Sequence, residues 1–236
     1  MKYFFAVCLV LLIAGCAKNT KLEFNGTTPG INKGTFTLKD INDSLICYAN
    51  INAGKFAVTE QINGAGYGYL SINTPGMGAV TFDVYIEPGK YTVTTNSDKP
   101  YKYPDIQSSS KTQNDLTAYY QLFDKVKDQL QKNVADLNAR LNDPKIKSSP
   151  NIYNDLEAKL QTAQQQQLDQ GIIALSSYVN QYPDNTITLR LMYLNNAYIS
   201  NPKAYYKIYK RLNTDIRNSR TGQSLGKLLD SLSRTQ

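Results

Sequence analysis

The feature that most constrains this chain is a change of hydrophobic period at PYKYPDIQSSS, residues 100–110. Before it, apolar and polar residues alternate in short runs bounded by Gly, Pro and Asn, as in half-buried strands. After it, apolar residues recur every third or fourth position, as in amphipathic helices. The sequence therefore predicts an α+β protein. An antiparallel β-sandwich-like domain is expected over residues 31–100, a linker over 101–110, and a helical domain with a long antiparallel helix hairpin over 111–236.

The strand candidates are residues 34–38, 45–50, 55–60, 67–72, 80–86 and 91–95. Turn formers separate them: Asn52-Ala53-Gly54, Asn63-Gly64, Thr74-Pro75-Gly76 and Glu87-Pro88-Gly89. GTFTL (34–38), GKFAV (54–58) and GKYTV (89–93) echo one another. Each leaves a turn through glycine and puts an aromatic and an aliphatic residue on one strand face, which is hairpin grammar. In the second half, Leu116, Tyr119, Phe123, Val126, Leu130, Val134, Leu137 and Leu141 form one helical stripe. NDPKIKSSP (142–150) breaks it, and Ile152, Leu156, Leu160, Ala163, Leu168, Ile172, Leu175 and Val179 form a second. Read as single helices of about 30 residues, or about 45 Å at 1.5 Å per residue, the two should pack as an antiparallel pair. Shorter helices are expected near 186–199, 202–212 and 224–233, with Asn201 capping the second of these and Pro202 in its first turn.

Residues 1–16 read as a secretory signal. A short positive start (Met1-Lys2-Tyr3) precedes an apolar run over residues 4–14. That run suits a signal segment and falls well short of the roughly 20 residues that span a bilayer as a helix. No later segment approaches that length, so a polytopic membrane protein is not expected. Ile13-Ala14-Gly15-Cys16 resembles the bacterial lipobox, which implies a diacylglyceryl group on the Cys16 thiol and an N-acyl chain on its amine. Several buried acyl chains anchor stably where one does not, so the lipid bilayer is an expected partner and residues 17–30 are expected to form a flexible tether. Ala17 stands where some bacteria place the aspartate that retains a lipoprotein in the inner membrane. The acidic cluster that sends some Bacteroidetes lipoproteins to the cell surface is also missing. The resemblance therefore implies an extracytoplasmic location, at the periplasmic face of the outer membrane of a Gram-negative bacterium.

Composition narrows the chemistry. The chain has no histidine, which removes Ser-His-Asp and Cys-His catalysis and histidine-ligated metals. Of three cysteines, Cys8 leaves with the signal and Cys16 is acylated, so Cys47 stands alone, without a disulfide partner or a Cys-x-x-Cys motif. No cofactor and no metal are expected beyond the covalent lipid, and the chain is not expected to be an enzyme.

The β half resembles the domain of unknown function 4369 of membrane-anchored thioredoxin-like proteins of Bacteroidetes. The lipobox, Asp43-Ser44 ahead of a strand, Gly54-Lys55-Phe56 and IEPGKYTV (86–93) carry the resemblance. The helical half is similar to the same proteins at Asn114-Asp115-Leu116, YVNQYPDN (178–185) and NSRTG (218–222). In those relatives a thioredoxin domain with its Cys-x-x-Cys follows at about the place of residues 228–236, and this sequence shows none there. The resemblance thus implies a module that positions a partner, such as a thioredoxin-like oxidoreductase supplied in trans. It assigns no disulfide chemistry to any residue.

Among candidate sites, Cys47 lies in an alternating strand with no base to activate it, and reads as a half-buried structural cysteine. GAGYG (64–68) lacks the helix and Lys-Ser/Thr pair of a phosphate loop and reads as a turn. Asp40 and Asp43 lack a complete calcium loop and read as turn or cap residues. The basic tail says more. Residues 200–236 hold eight basic residues against two acidic, a surplus of +6 that equals the net charge of the whole chain after residue 16. Lys203, Lys207, Lys210, Arg211, Arg217 and Arg220 form a candidate contact surface, for an acidic protein or an anionic membrane surface. Export removes nucleic acid as a partner. The competing bland reading is a solvated helical face. The function expected is a non-catalytic binding or scaffolding module. The alternative is an extracytoplasmic ligand carrier, or a histidine-independent enzyme, using a cleft between the β and helical domains.

Overall fold

The computed structural model describes residues 20–76, 78–96 and 98–235, with Asn195 described in its backbone only. Cys16 and the signal segment lie outside the described residues. The chain divides into two compact units. The first holds residues up to Pro100 together with Asp105–Gln113, and the second holds Tyr101–Pro104 and the chain from Asn114 onward.

The first unit is one eight-stranded mixed sheet of β1 (Lys21–Thr27), β2 (Lys33–Asp40), β3 (Leu45–Asn52), β4 (Lys55–Gln61), β5 (Gly66–Thr74), β6 (Gly78–Ile86), β7 (Gly89–Thr94) and β8 (Asp105–Ser108). The strand order is β6-β5-β2-β3-β4-β1-β7-β8. Every neighbouring pair is antiparallel except β1 and β7, which run parallel. All six strands expected from alternation are present. Two further strands correct the domain boundaries. Residues 21–27 are no tether, because β1 sits inside the sheet between β4 and β7. The reason is its own alternation: Leu22 and Phe24 are each 1% exposed while Lys21 and Asn25 face solvent. The polar composition around this short strand hid it. Residues 105–108 are no linker either, since β8 adds to β7 through the buried Ile106.

The sheet curls on itself. β3 and β4 share a single register pair, Asn52 with Lys55, next to the turn. That turn takes left-handed conformations at Ala53 (φ 49°) and Gly54 (φ 73°), the requirement of a tight two-residue hairpin. Beyond it the strands diverge into two leaves, β6-β5-β2-β3 and β4-β1-β7-β8. Aromatic rings close the space between the leaves. Phe36 of β2 stacks on Phe56 of β4 at 4.4 Å and lies 5.4 Å from Phe24 of β1, which stacks on Tyr91 of β7 at 4.5 Å. Gly26 makes room for this stack, because a Cβ there would fall 1.9 Å from the Phe56 ring. The Tyr91 hydroxyl accepts the Glu87 N–H at 3.0 Å and donates to the Tyr85 carbonyl at 3.1 Å, tying the Glu87-Pro88-Gly89 turn to the core.

The helices are α1 (Lys111–Leu141), α2 (Pro144–Lys147), α3 (Pro150–Leu168), α4 (Gln170–Gln181), α5 (Ile187–Tyr193), α6 (Ala197–Ser200), α7 (Pro202–Tyr209), α8 (Thr214–Asn218) and α9 (Arg220–Thr235), with a 3₁₀ turn at Leu194–Asn196. The first stripe gives α1, 31 residues long, and Ser110 caps its start by accepting the Gln113 N–H at 3.2 Å. Its second half packs on α3 through Leu137, Leu141, Leu156 and Ala163, the antiparallel hairpin that the breaker predicted. The second long helix is in fact two. Asp169 leaves helical geometry between α3 and α4, so the stripe changes phase and Leu168 ends 79% exposed. Likewise the helix expected at 186–199 breaks at Asn196, which is left-handed (φ 53°). A separate core joins Leu116 and Tyr119 of α1 to Leu175 and Tyr178 of α4, Tyr205 and Ile208 of α7, Ile216 of α8, and Leu225 and Leu229 of α9.

Candidate contact surface on the C-terminal helices

The basic residues singled out in the sequence fall on α7, on the two residues that follow it, and on α8 and α9. Asn201 caps α7 by accepting the Ala204 N–H at 3.3 Å, and Pro202 occupies the first turn, as expected. Pro202, Tyr205, Ile208 and Tyr209 form the buried side of this helix. Lys203, Lys207 and Lys210 follow one another by four and three residues, which gathers them within about 60° of helix circumference on the opposite side. All three are exposed, and they form the one group of like charges that α7 itself assembles. An aromatic floor adjoins them. The Lys210 Nζ lies 4.3 Å over the Tyr206 ring, and Tyr206 is stacked on Tyr209 at 6.2 Å and 10°.

The three arginines do not join that stripe. Arg211, exposed just beyond α7, donates to the Ser176 side chain at 2.9 Å and its carbonyl at 2.5 Å, fastening the chain after α7 to α4. Arg217 borders an open cleft of about 360 Å³ with Tyr206, Tyr209, Lys227 and Asp230. Its Nη2 donates to Thr214 Oγ1 at 3.3 Å, while its Nε is sealed from solvent without an acceptor. Arg220 is exposed at the first residue of α9. Asp230 is held by Arg234 at 2.7 Å, and its bond with the Tyr206 hydroxyl pushes that phenol above its ordinary value. The candidate surface is therefore a lysine stripe, beside a tyrosine floor, with a mixed-charge cleft beyond it.

The remaining candidates are structural. Cys47 is 5% exposed, and burial first, then the Glu60 carboxylate, push its thiol up to about 12, so it stays protonated at neutral pH. Asp40 caps the β2–β3 turn by accepting the Asn42 and Ser44 N–H groups, each at 2.8 Å. Asp43 pairs with Lys39 at 2.9 Å. The glycines at 64–68 lead into β5, a strand rather than a helix. Among the described residues, no group of three His, Cys, Asp or Glu could hold a metal ion, and no helix is long and apolar enough to cross a membrane.

Sequence reasoning missed a clamp at the start of the helical unit. The Tyr103 N–H donates to Asp124 at 2.9 Å, its ring stacks on Tyr120 at 4.6 Å, and Lys102 pairs with Asp128. Burial raises the Asp124 carboxyl above its usual range, and the Tyr103 N–H works against that rise. The signal was the bracketing of Tyr101-Lys102-Tyr103 by Pro100 and Pro104, which keeps the strip out of the helix that follows. No protein-family model matches the chain, and no curated protein matches it.

Proposed function

We propose that this protein is a lipid-anchored extracytoplasmic scaffolding module, non-catalytic, that docks an acidic partner protein through the lysine face of α7. The observation that carries the reading is the placement of Lys203, Lys207 and Lys210 opposite the buried Tyr205, Ile208 and Tyr209. Three exposed ammonium groups on one face steer an acidic surface into place, and the half-buried Tyr206 ring under Lys210 adds aromatic area of the kind that contact surfaces use. The protonated, buried thiol of Cys47 supports a non-catalytic role, since the thiolate is the reactive form. Cys16 supplies the anchor, on the strength of the lipobox resemblance. A thioredoxin-like oxidoreductase is the partner class that the other resemblance suggests.

Crosslinking in cells followed by pull-down and mass spectrometry tests the docking role. A reproducible acidic partner is the expected result, and its absence across replicates refutes the proposal. The anchor has its own test. Globomycin should cause the signal-bearing diacylglyceryl form to accumulate, and an unmodified Cys16 in the mature protein overturns the location.

A further inference from the structure

The divergence of β3 from β4 leaves a slit whose two rims are unpaired strand edges. In a two-residue hairpin, the residues flanking the turn bond to each other, so the backbone groups of Asn52 and Lys55 point across the slit. Backbone direction alternates along a strand, so Asn50 and Tyr48 point the same way on β3, and Ala57 and Thr59 do so on β4. The other edge of each strand is engaged, β4 with β1 along its length and β3 with β2 apart from a bulge at Ile46. Among the described residues, no backbone partner meets those four across the slit. The next position, Gln61, turns its N–H to the Glu60 carboxylate at 3.0 Å.

Several observations suggest that these edges are built to receive something. Over its eight residues, LICYANIN, β3 carries no charge, whereas edge strands are commonly guarded by lysine or proline. Apolar side chains are accessible over its first half: Leu45 is 62% and Tyr48 51% exposed, with Ile46 and Ala49 half-buried. At the open end lies a pocket of about 170 Å³ lined by Ile46, Ile62, Ala65, Tyr67, Ile86 and Asp40. That volume takes one large side chain rather than a drug-sized ligand, which needs roughly 300–1,000 Å³. Ionisable groups at this end are chiefly acidic. Glu60 is exposed on β4, Asp40 lines the pocket, and Asp43 shares its charge with Lys39, while Lys55 stands at the closed end.

We infer that the slit between β3 and β4 is a strand-addition site for an extended segment of a partner protein, with one bulky apolar side chain in the Ile46–Ile62–Ile86 pocket and Lys or Arg beside it. Main-chain bonds to both rims supply affinity, and the pocket and the acidic mouth supply selectivity, the division of labour seen in strand addition generally. This site belongs to the sheet unit and is independent of the lysine face of α7.

The test selects a linear 12-residue phage-displayed library on the purified full-length chain, then measures hydrogen exchange with the selected peptides. In the free protein, the amides of Tyr48, Asn50, Ala57 and Thr59 should exchange faster than those of Cys47, Ala49, Phe56 and Val58. Selected peptides should share a bulky apolar residue flanked by Lys or Arg, and should slow those four amides. Thr59→Pro removes an N–H that makes no bond to β1, and should weaken the peptides by about two- to tenfold, the range for one net hydrogen bond. Glu60→Lys should invert the selected charge from basic to acidic. The inference is overturned by selection without enrichment, by protection elsewhere on the chain, or by a consensus indifferent to Glu60→Lys.

Discussion

Phe24→Ala is the perturbation that tests most sharply whether residues 21–27 belong to the core. Phe24 is 1% exposed and lies between Tyr91 at 4.5 Å and Phe36 at 5.4 Å, so truncation removes a ring from the centre of the aromatic stack. Deleting a buried phenylalanine costs about 3–5 kcal/mol, and the lost ring pairs are part of that sum. Against a domain stability of roughly 5–15 kcal/mol, this is about a fifth of the total or more. Two units need not unfold together, so a global melting curve would blend their transitions. Residue-resolved hydrogen exchange avoids that. Protection of the β4 and β7 amides should fall roughly 10²–10⁴-fold, at about 1.4 kcal/mol per tenfold change. Asn25→Ala, on the exposed side of the same strand, should stay within about 0.5 kcal/mol of the parent. Unchanged protection in Phe24→Ala would refute the placement of β1 in the sheet and restore the tether.

Other consequences concern particular groups. Native Cys47 should react with Ellman's reagent at pH 8 no faster than the strands open, and prompt stoichiometric reaction would contradict its burial. Its pKa rises on folding from about 9 to about 12, so the unfolded chain releases a proton that the folded one keeps. That group therefore lowers stability as pH climbs through this window, and Cys47→Ala should soften the decline measured by alkaline denaturant titration. Tyr91→Phe keeps the stack but deprives the Glu87 N–H and Tyr85 carbonyl of their partner, for a loss of about 1–3 kcal/mol in equilibrium unfolding. A loss under about 0.5 kcal/mol would show that the hydroxyl does not hold the turn.

Periodicity and turn chemistry were legible because they are local. The strand around Phe36, the hairpin at Ala53-Gly54, the cap at Asn201 and the spacing of Lys203, Lys207 and Lys210 each depend on residues a few positions apart. What escaped depended on distant partners. Leu22 and Phe24 make a strand only because β4 and β7 flank them, and seven residues rich in polar side chains give little local signal. The helix break at Asp169 hid because apolar spacing ran through it with a gap at Leu168, which the structure leaves in solvent. Arg211 looked like one more surface cation. Its anchoring on Ser176 joins residues 35 apart in sequence, beyond the reach of any spacing rule. Divergence of β3 from β4 was equally hidden, since the turn between them is an ordinary hairpin turn.

The central claim is that the α7 lysine face docks an acidic partner. Its most direct measurement is in-cell crosslinking and quantitative pull-down of the parent chain beside the Lys203→Glu/Lys207→Glu/Lys210→Glu variant, with Lys147→Glu on α2 as the control. All four side chains are exposed, so stability should change by no more than about 0.5 kcal/mol per site. Captured partner should fall at least about tenfold in the triple variant, as like charges are brought face to face, and not at all in the control. Equal capture by the triple variant, or no reproducible partner for the parent, would contradict the claim.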